Sequence, residues 1–247
     1  MEEPPESVAE PRPDHQLEAV LRRAEIVALE PVAVGSNAVF QVLLAGPEGE
    51  LRAIYKPARG ERPLWDFPPG TLHRREVATA EVDRALGWGF TPPTVIRAKA
   101  PYGVGSIQAF VAEPPSDLVL DRERLEDRLR GLAALDVLIN NADRKRAHLL
   151  VDPAGEVKGI DHGVTFNTEF KLRTVLADLG GTPVPGRWLA GLGALVADPA
   201  RMGRLRERLR TLLAPAEVEA FEIRADQLLA AGVFPILHPW YGRPFER

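Results

Sequence analysis

Residues 141–150, Asn-Ala-Asp-Arg-Lys-Arg-Ala-His-Leu-Leu, and residues 160–163, Ile-Asp-His-Gly, decide how this sequence is read. Asp143, Arg144, Lys145, Arg146 and His148 stand at one end of a predicted hairpin, and Asp161 and His162 at the other. The runs Leu149-Leu-Val151 and Lys158-Gly-Ile160 flank Asp152-Pro-Ala-Gly-Glu-Val157, a turn-forming stretch between two short apolar strands. Such a hairpin holds two loops side by side, so residues eighteen positions apart can share one site. Upstream, Leu125, Leu129, Leu132, Leu135, Leu138 and Ile139 recur at helical spacing. They predict a buried helix over 125–139 that delivers the chain into the first loop.

Phosphoryl transfer needs a cation on the nucleotide phosphates, a carboxylate to hold that cation, a metal-binding carboxylate and a carboxylate facing the acceptor hydroxyl. All four have candidates in workable order. Two β-rich runs, 38–44 and 51–56, flank Ala-Gly-Pro-Glu-Gly-Glu and predict a hairpin whose second strand ends at Lys56. A helix follows over 72–86, with Gly87 and Gly89 as stop signals, and it carries Glu76 as the partner of Lys56, with Glu81 as the alternative. Asp143 stands for the acceptor-facing base and Asp161 for the metal ligand. Taken singly, Lys56 reads as a solvated strand end, Asp143 as part of a charged turn and Asp161 as a turn residue before Gly163. Their order along the chain favours the cleft reading over these.

Asn141-Ala-Asp-Arg144 with Ile160-Asp-His-Gly163, together with Ile54-Tyr-Lys-Pro57 and the helix holding Glu76, resembles the phosphatidylinositol 3-/4-kinase-like branch of the kinase superfamily, which includes HipA-type kinases. The run 161–176, Asp-His-Gly-Val-Thr-Phe-Asn-Thr-Glu-Phe-Lys-Leu-Arg-Thr-Val-Leu, resembles an actinobacterial kinase-like family more closely. The resemblance covers residues 20–190. It implies an α+β, bilobed protein-kinase-like fold with a β-rich nucleotide lobe over 16–112, a mainly helical lobe over 113–247, and ATP with Mg²⁺ or Mn²⁺ between them. By position it implies Asp143, Arg144 and Lys56 as the catalytic set and Asp161 with His148 as metal ligands. Ser36 and Asn37 fall in a phosphate-covering loop. Gln108, Phe110 and Val111 fall in a hinge that reads adenine.

One position departs from the pattern. Where these families carry a metal-binding asparagine five residues past the catalytic aspartate, this chain has His148, and an imidazole suits transition metals better than Mg²⁺. The departure keeps two further readings in play: a nucleotide-binding pseudokinase, and a metal-dependent phosphohydrolase using Asp143, His148, Asp161 and His162. His162 reads as structural rather than catalytic. Lys171 and Arg173 follow the metal motif, where an acidic acceptor or a solvated helix face explains them equally.

Composition bounds the rest. A chain of 247 residues that is 45% hydrophobic supports one large domain or two small lobes. With no cysteine, disulfides and thiolate metal sites are excluded, and a cytoplasmic location is expected. The acidic, proline-rich start, residues 1–15, is expected to be disordered and unlike a secretory signal. No apolar run spans a bilayer, so no integral membrane association is expected. A net charge of -4 and a pI near 5.8 argue against a nucleic-acid partner. A short amphipathic helix carrying Leu17, Val20, Leu21 and Ile26 is predicted to end before Pro31, helices are expected from Lys171 onward, notably over 202–213 and 216–229, and an antiparallel pair is predicted over 95–97 and 105–111. The aromatic tail from Phe234 is expected to pack back or meet a partner. The partners expected are ATP and a hydroxyl-bearing protein, small molecule or lipid; these residues set neither its identity nor the oligomeric state.

Overall fold

The computed structural model describes residues 14–32, 37–46, 49–119 and 121–237. The acidic start up to residue 13, Gly35 and Ser36 of the expected phosphate-covering loop, and the tail from residue 238 lie outside the described residues.

The first half is an antiparallel sheet with one helix packed on it. Helix α1 (Asp14–Arg23) leads into strand β1 (Glu25–Pro31), followed by β2 (Phe40–Gly46), β3 (Gly49–Pro57), β4 (Thr94–Arg97) and β5 (Gly105–Ala109), in the order β1-β2-β3-β5-β4. The β2–β3 hairpin forms as the sequence predicts, with Phe40 opposite Tyr55 and Val42 opposite Ala53. Alternation does the sorting: Ala53 and Tyr55 enter a core with Leu21, Val42, Leu44, Val95 and Ile107, so Ile54 and Lys56 project from the opposite face. Gly105 matters to Lys56. A Cβ there would stand 2.3 Å from the Lys56 carbonyl oxygen, so only glycine lets β5 close against the end of β3.

The helix expected to carry Leu17 to Ile26 and end before Pro31 stops earlier, and β1 takes the rest. Helix α1 ends at Arg23, where Arg97 caps it through the Leu21 and Ala24 carbonyls at 3.0 and 2.6 Å, and Ile26 lies on β1, paired with Leu44.

The second half is helical. Helix α2 (Leu72–Leu86) matches its predicted bounds, and Gly87 closes it in the left-handed conformation with φ 69°. Then come α3 (Arg122–Ile139), the hairpin β6 (Leu149–Val151) with β7 (Val157–Gly159), α4 (Gly186–Val196), α5 (Pro199–Arg210) and α6 (Pro215–Ala231). Although α2 lies between strands in sequence, Val77, Ala78, Val82 and Leu86 pack into the large core built by α3, α4, α5 and α6. Arg75 adds a buried ion pair to Glu217 of α6, and Arg208 of α5 reaches Glu81 at 2.7 Å. Helix α2 therefore joins the sheet to the helices. Among the described residues, no helix is long and apolar enough to cross a membrane.

Candidate nucleotide and phosphotransfer site

Three segments converge where the sheet meets the helices. Lys56 closes β3, Glu76 sits one turn into α2, and Asp161 follows β7. The Lys56 ammonium contacts Glu76 Oε1 and donates to Asp161 Oδ1 at 2.9 Å. Glu76 Oε2 accepts the His162 backbone N–H at 3.0 Å, so one carboxylate holds both the lysine and the loop after β7. Burial alone would lower the Lys56 pKa, but Asp161 and Glu76 outweigh it and raise the ammonium above its ordinary value. In return the Lys56 charge holds the Asp161 carboxyl well below the usual carboxylate range. Asp161 adopts φ 61°, a conformation that costs a residue with a Cβ and is kept where the surroundings impose it. Glu81, the alternative partner, instead holds Arg84 and Arg208.

The loop carrying Asp143 is built from the end of α3. Asn140 turns the chain with φ 52°, and its side chain accepts from Lys171 N–H at 2.8 Å and donates to the Asn167 and Glu169 carbonyls. Asn141 Oδ1 accepts the Asp143 N–H at 3.0 Å, and the Asn141 amide donates to Asp136. The Asp143 carboxylate is left one-third exposed and pairs with Lys145 at 2.7 Å. Backbone bonds from Ala142 to Val164, Arg173 to Asn141 and Arg144 to Arg173 stitch the segment after Gly163 to this loop.

Arg144, expected among the catalytic residues, is corrected by its burial. Its side chain is 0% exposed; it forms a bidentate pair with Asp136 and donates to the Ile160 carbonyl at 2.8 Å. A group with no exposed surface cannot meet a substrate. Arg144 positions both loops instead, which is why the hairpin needed a cation the sequence could not distinguish from its neighbours Lys145 and Arg146. His162 is likewise fully buried, with Nε2 2.7 Å from Arg144 Nη2; burial and the Arg144 charge push its pKa well below the ordinary value.

His148 does approach Asp161, with Nε2 3.3 Å from Oδ2. Lys145 N–H points at Nδ1 from 3.4 Å, which places the ring proton on Nε2, toward Asp161. Burial lowers the His148 pKa, so the ring is neutral near pH 7. Among the described residues, no group of three or more His, Asp or Glu side chains is placed to hold a metal. The four-ligand phosphohydrolase arrangement is not assembled, because His162 faces Arg144 and not the Asp161 carboxylate.

The remaining candidates spread along the sheet. Asn37 Oδ1 accepts the Arg62 N–H at 2.8 Å. Gln108 is interior to the sheet, between Ile54 and Thr94, with its amide on the Thr94 hydroxyl at 2.8 Å. Phe110 lies just past β5, its N–H on the Arg52 carbonyl and its ring 4.4 Å from the Arg52 guanidinium. Val111 follows, half-buried. Lys171 is engaged by Asp66 at 2.9 Å and lies over the Trp65 ring, so it is not a free cation for an acidic acceptor. Lys145 was not singled out by its spacing; the signal that could have found it is a lysine two residues past Asp143.

The chain is 37% identical to Protein Rv2133c of Mycobacterium tuberculosis (strain ATCC 25618 / H37Rv) over 253 residues, covering 88% of this chain and 90% of that protein. No protein-family model matches. Among solved structures, the chain resembles the Golgi casein kinase with Mn/ADP bound (TM-score 0.61, 16% identity, 94% of this chain and 80% of that one). It also resembles hydra Fam20 with sugar (0.54, 15%, 88% and 87%) and the Helicobacter pylori proinflammatory kinase CtkA (0.54, 10%, 85% and 93%). At these identities the likeness is one of fold, and the fold is kinase-like. The chain belongs to the family of Rv2133c.

Proposed function

We propose that this member of the Rv2133c family is an ATP-dependent phosphotransferase of the phosphatidylinositol 3-/4-kinase-like branch. It moves the γ-phosphoryl group to a hydroxyl of a protein, small molecule or lipid. The observation that carries the reading is Lys56, held at once by Glu76 from α2 and Asp161 from the loop after β7. A lysine held between two carboxylates from separate segments is placed to exchange one of them for a phosphate.

In this reading Lys56 takes the α- and β-phosphates and Glu76 keeps it in position. The Asp143 carboxylate accepts the proton of the acceptor hydroxyl as its oxygen bonds the γ-phosphorus and the bond to the β-phosphate oxygen breaks, releasing ADP. Lys145, paired with Asp143, stands ready for the charge on the transferred group. Ser36 and Asn37 cover the phosphates, and Phe110 and Val111, beyond Gln108, border adenine. The lobes meet near residues 112 and 113, and the absence of cysteine fits a cytoplasmic setting.

Asp161 fits a divalent ion that takes its remaining ligands from nucleotide phosphates and water, and His148 would join it once its ring proton moves from Nε2 to Nδ1 and frees the Nε2 lone pair. Such an ion would neutralise charge on the phosphates. One carboxylate and one imidazole suit Mn²⁺ better than Mg²⁺, and the Golgi casein kinase of the same fold was solved with Mn/ADP. A second reading, a nucleotide-binding regulatory module, is favoured by the His148 N–H directed at Asp161. Calorimetry with ADP and Mn²⁺ tests the shared premise: the wild type binds and Lys56→Met does not. Equal affinity of the two proteins would remove Lys56 from the site.

A further inference from the structure

The geometry points to Glu61 and His73 as a positioning latch that sets Glu76 against Lys56 and ties α2 to the phosphate-covering loop. The inference rests on the nucleotide-cleft reading and adds a control point to it. Thr71 makes no side-chain cap at the start of α2, since its hydroxyl donates to the Pro68 carbonyl. The free N–H groups of Leu72 and His73 are taken instead by Glu61, at 3.1 and 2.9 Å, from a segment more than ten residues earlier. A carboxylate at a helix N-terminus also meets the positive end of the helix dipole. The His73 ring adds Nδ1 at 2.8 Å from the same Glu61 oxygen, and both side chains are buried. Hydrogen bonds to both the helix and the imidazole hold the Glu61 carboxyl below its ordinary pKa despite its burial.

Position turns this cap into a latch. Glu61 lies five residues past Lys56, and His73 lies one turn before Glu76. Two segments are thus clasped at two points, Lys56 to Glu76 and Glu61 to His73, closing a ring between β3 and α2. A third contact extends it. Ala38 N–H donates to the Gly60 carbonyl at 3.0 Å and Arg62 N–H to Asn37 Oδ1 at 2.8 Å, so the strand-side arm of the latch is bonded to the loop assigned to the phosphates. Nucleotide held against Asn37 and Ala38 would therefore firm Glu61, α2 and Glu76 together. A merely structural cap would stabilise α2 without this dependence.

Calorimetry of ADP·Mn²⁺ binding separates the two through a double-mutant cycle. Glu61→Gln is expected to weaken binding about tenfold in the wild-type background and by less than about twofold when Glu76 is already Gln, as coupled contacts require. His73→Leu shifts affinity in the same direction, whereas His73→Asn, which keeps an N–H near Nδ1, restores it. Urea melts confirm that each variant is folded; if Glu61→Gln is not, the His73 pair decides. Wild-type affinity in Glu61→Gln, or the same loss with and without Glu76, would overturn the latch while leaving the nucleotide site standing. Failure of the wild type itself to bind would overturn both.

Discussion

Asp136 and Arg144 form a bidentate ion pair with both side chains fully buried, Oδ1 to Nη2 at 2.8 Å and Oδ2 to Nε at 2.9 Å. The pair fastens the end of α3 to the loop carrying Asp143 and, through the Ile160 carbonyl, to the loop carrying Asp161. Removing one partner leaves the other charge buried alone. Asp136→Asn is expected to cost about 3–5 kcal/mol in urea denaturation. The double replacement Asp136→Leu with Arg144→Met recovers much of that stability but not phosphotransfer, because it restores packing without restoring the Ile160 contact.

A second prediction concerns pH. Burial raises the Asp83 carboxyl to about 6, offset in part by the Thr91 N–H at 2.6 Å, and Oδ1 has no hydrogen-bond partner among the described residues. The folded protein thus holds this proton more tightly than the unfolded chain. Asp83 weakens the fold as pH rises from about 4 to 6, and the cost stays constant above that. Asp83→Asn should therefore raise stability by about 2 kcal/mol at pH 8, with the gain vanishing below about pH 4. Chemical denaturation at the two pH values measures it. A gain that persists at pH 4 would mean the proton is not the cause.

The metal preference follows from one side chain. With a neutral imidazole beside Asp161, nucleotide binding should be stronger with Mn²⁺ than with Mg²⁺. His148→Asn should narrow that preference about tenfold by supplying an amide oxygen. Competition titrations with the two ions read the ratio directly, and an unchanged ratio would take His148 out of the metal site.

Much of this site can be read from sequence because its residues sit on strongly patterned elements. The apolar spacing of Val77, Ala80 and Val82 with the stop at Gly87 yields α2, and α2 brings Glu76 to Lys56. Strand β1 is lost to such reading because Arg23 passes into Glu25 with no turn residue, and an edge strand bearing Glu25 and Glu30 resembles the exposed face of a helix. Helix α4 falls within the helices expected after Lys171, but its bounds go unread because Gly186, Gly191 and Gly193 argue against a helix, yet Gly191 is what admits the Trp88 ring, whose Nε1 would stand 2.8 Å from a Cβ there. Arg144 and Glu61 escape for another reason. Their partners lie in distant segments, and no local pattern marks a charge as buried.

The most direct test of the central claim is transfer of the γ-phosphoryl group from labelled ATP with Mn²⁺, to the protein itself, to water or to an added acceptor, comparing wild type with Asp143→Asn. Wild-type protein should turn ATP over, and Asp143→Asn should lose at least about a hundredfold in rate while binding ADP·Mn²⁺ with unchanged affinity. Full turnover by Asp143→Asn would contradict the account.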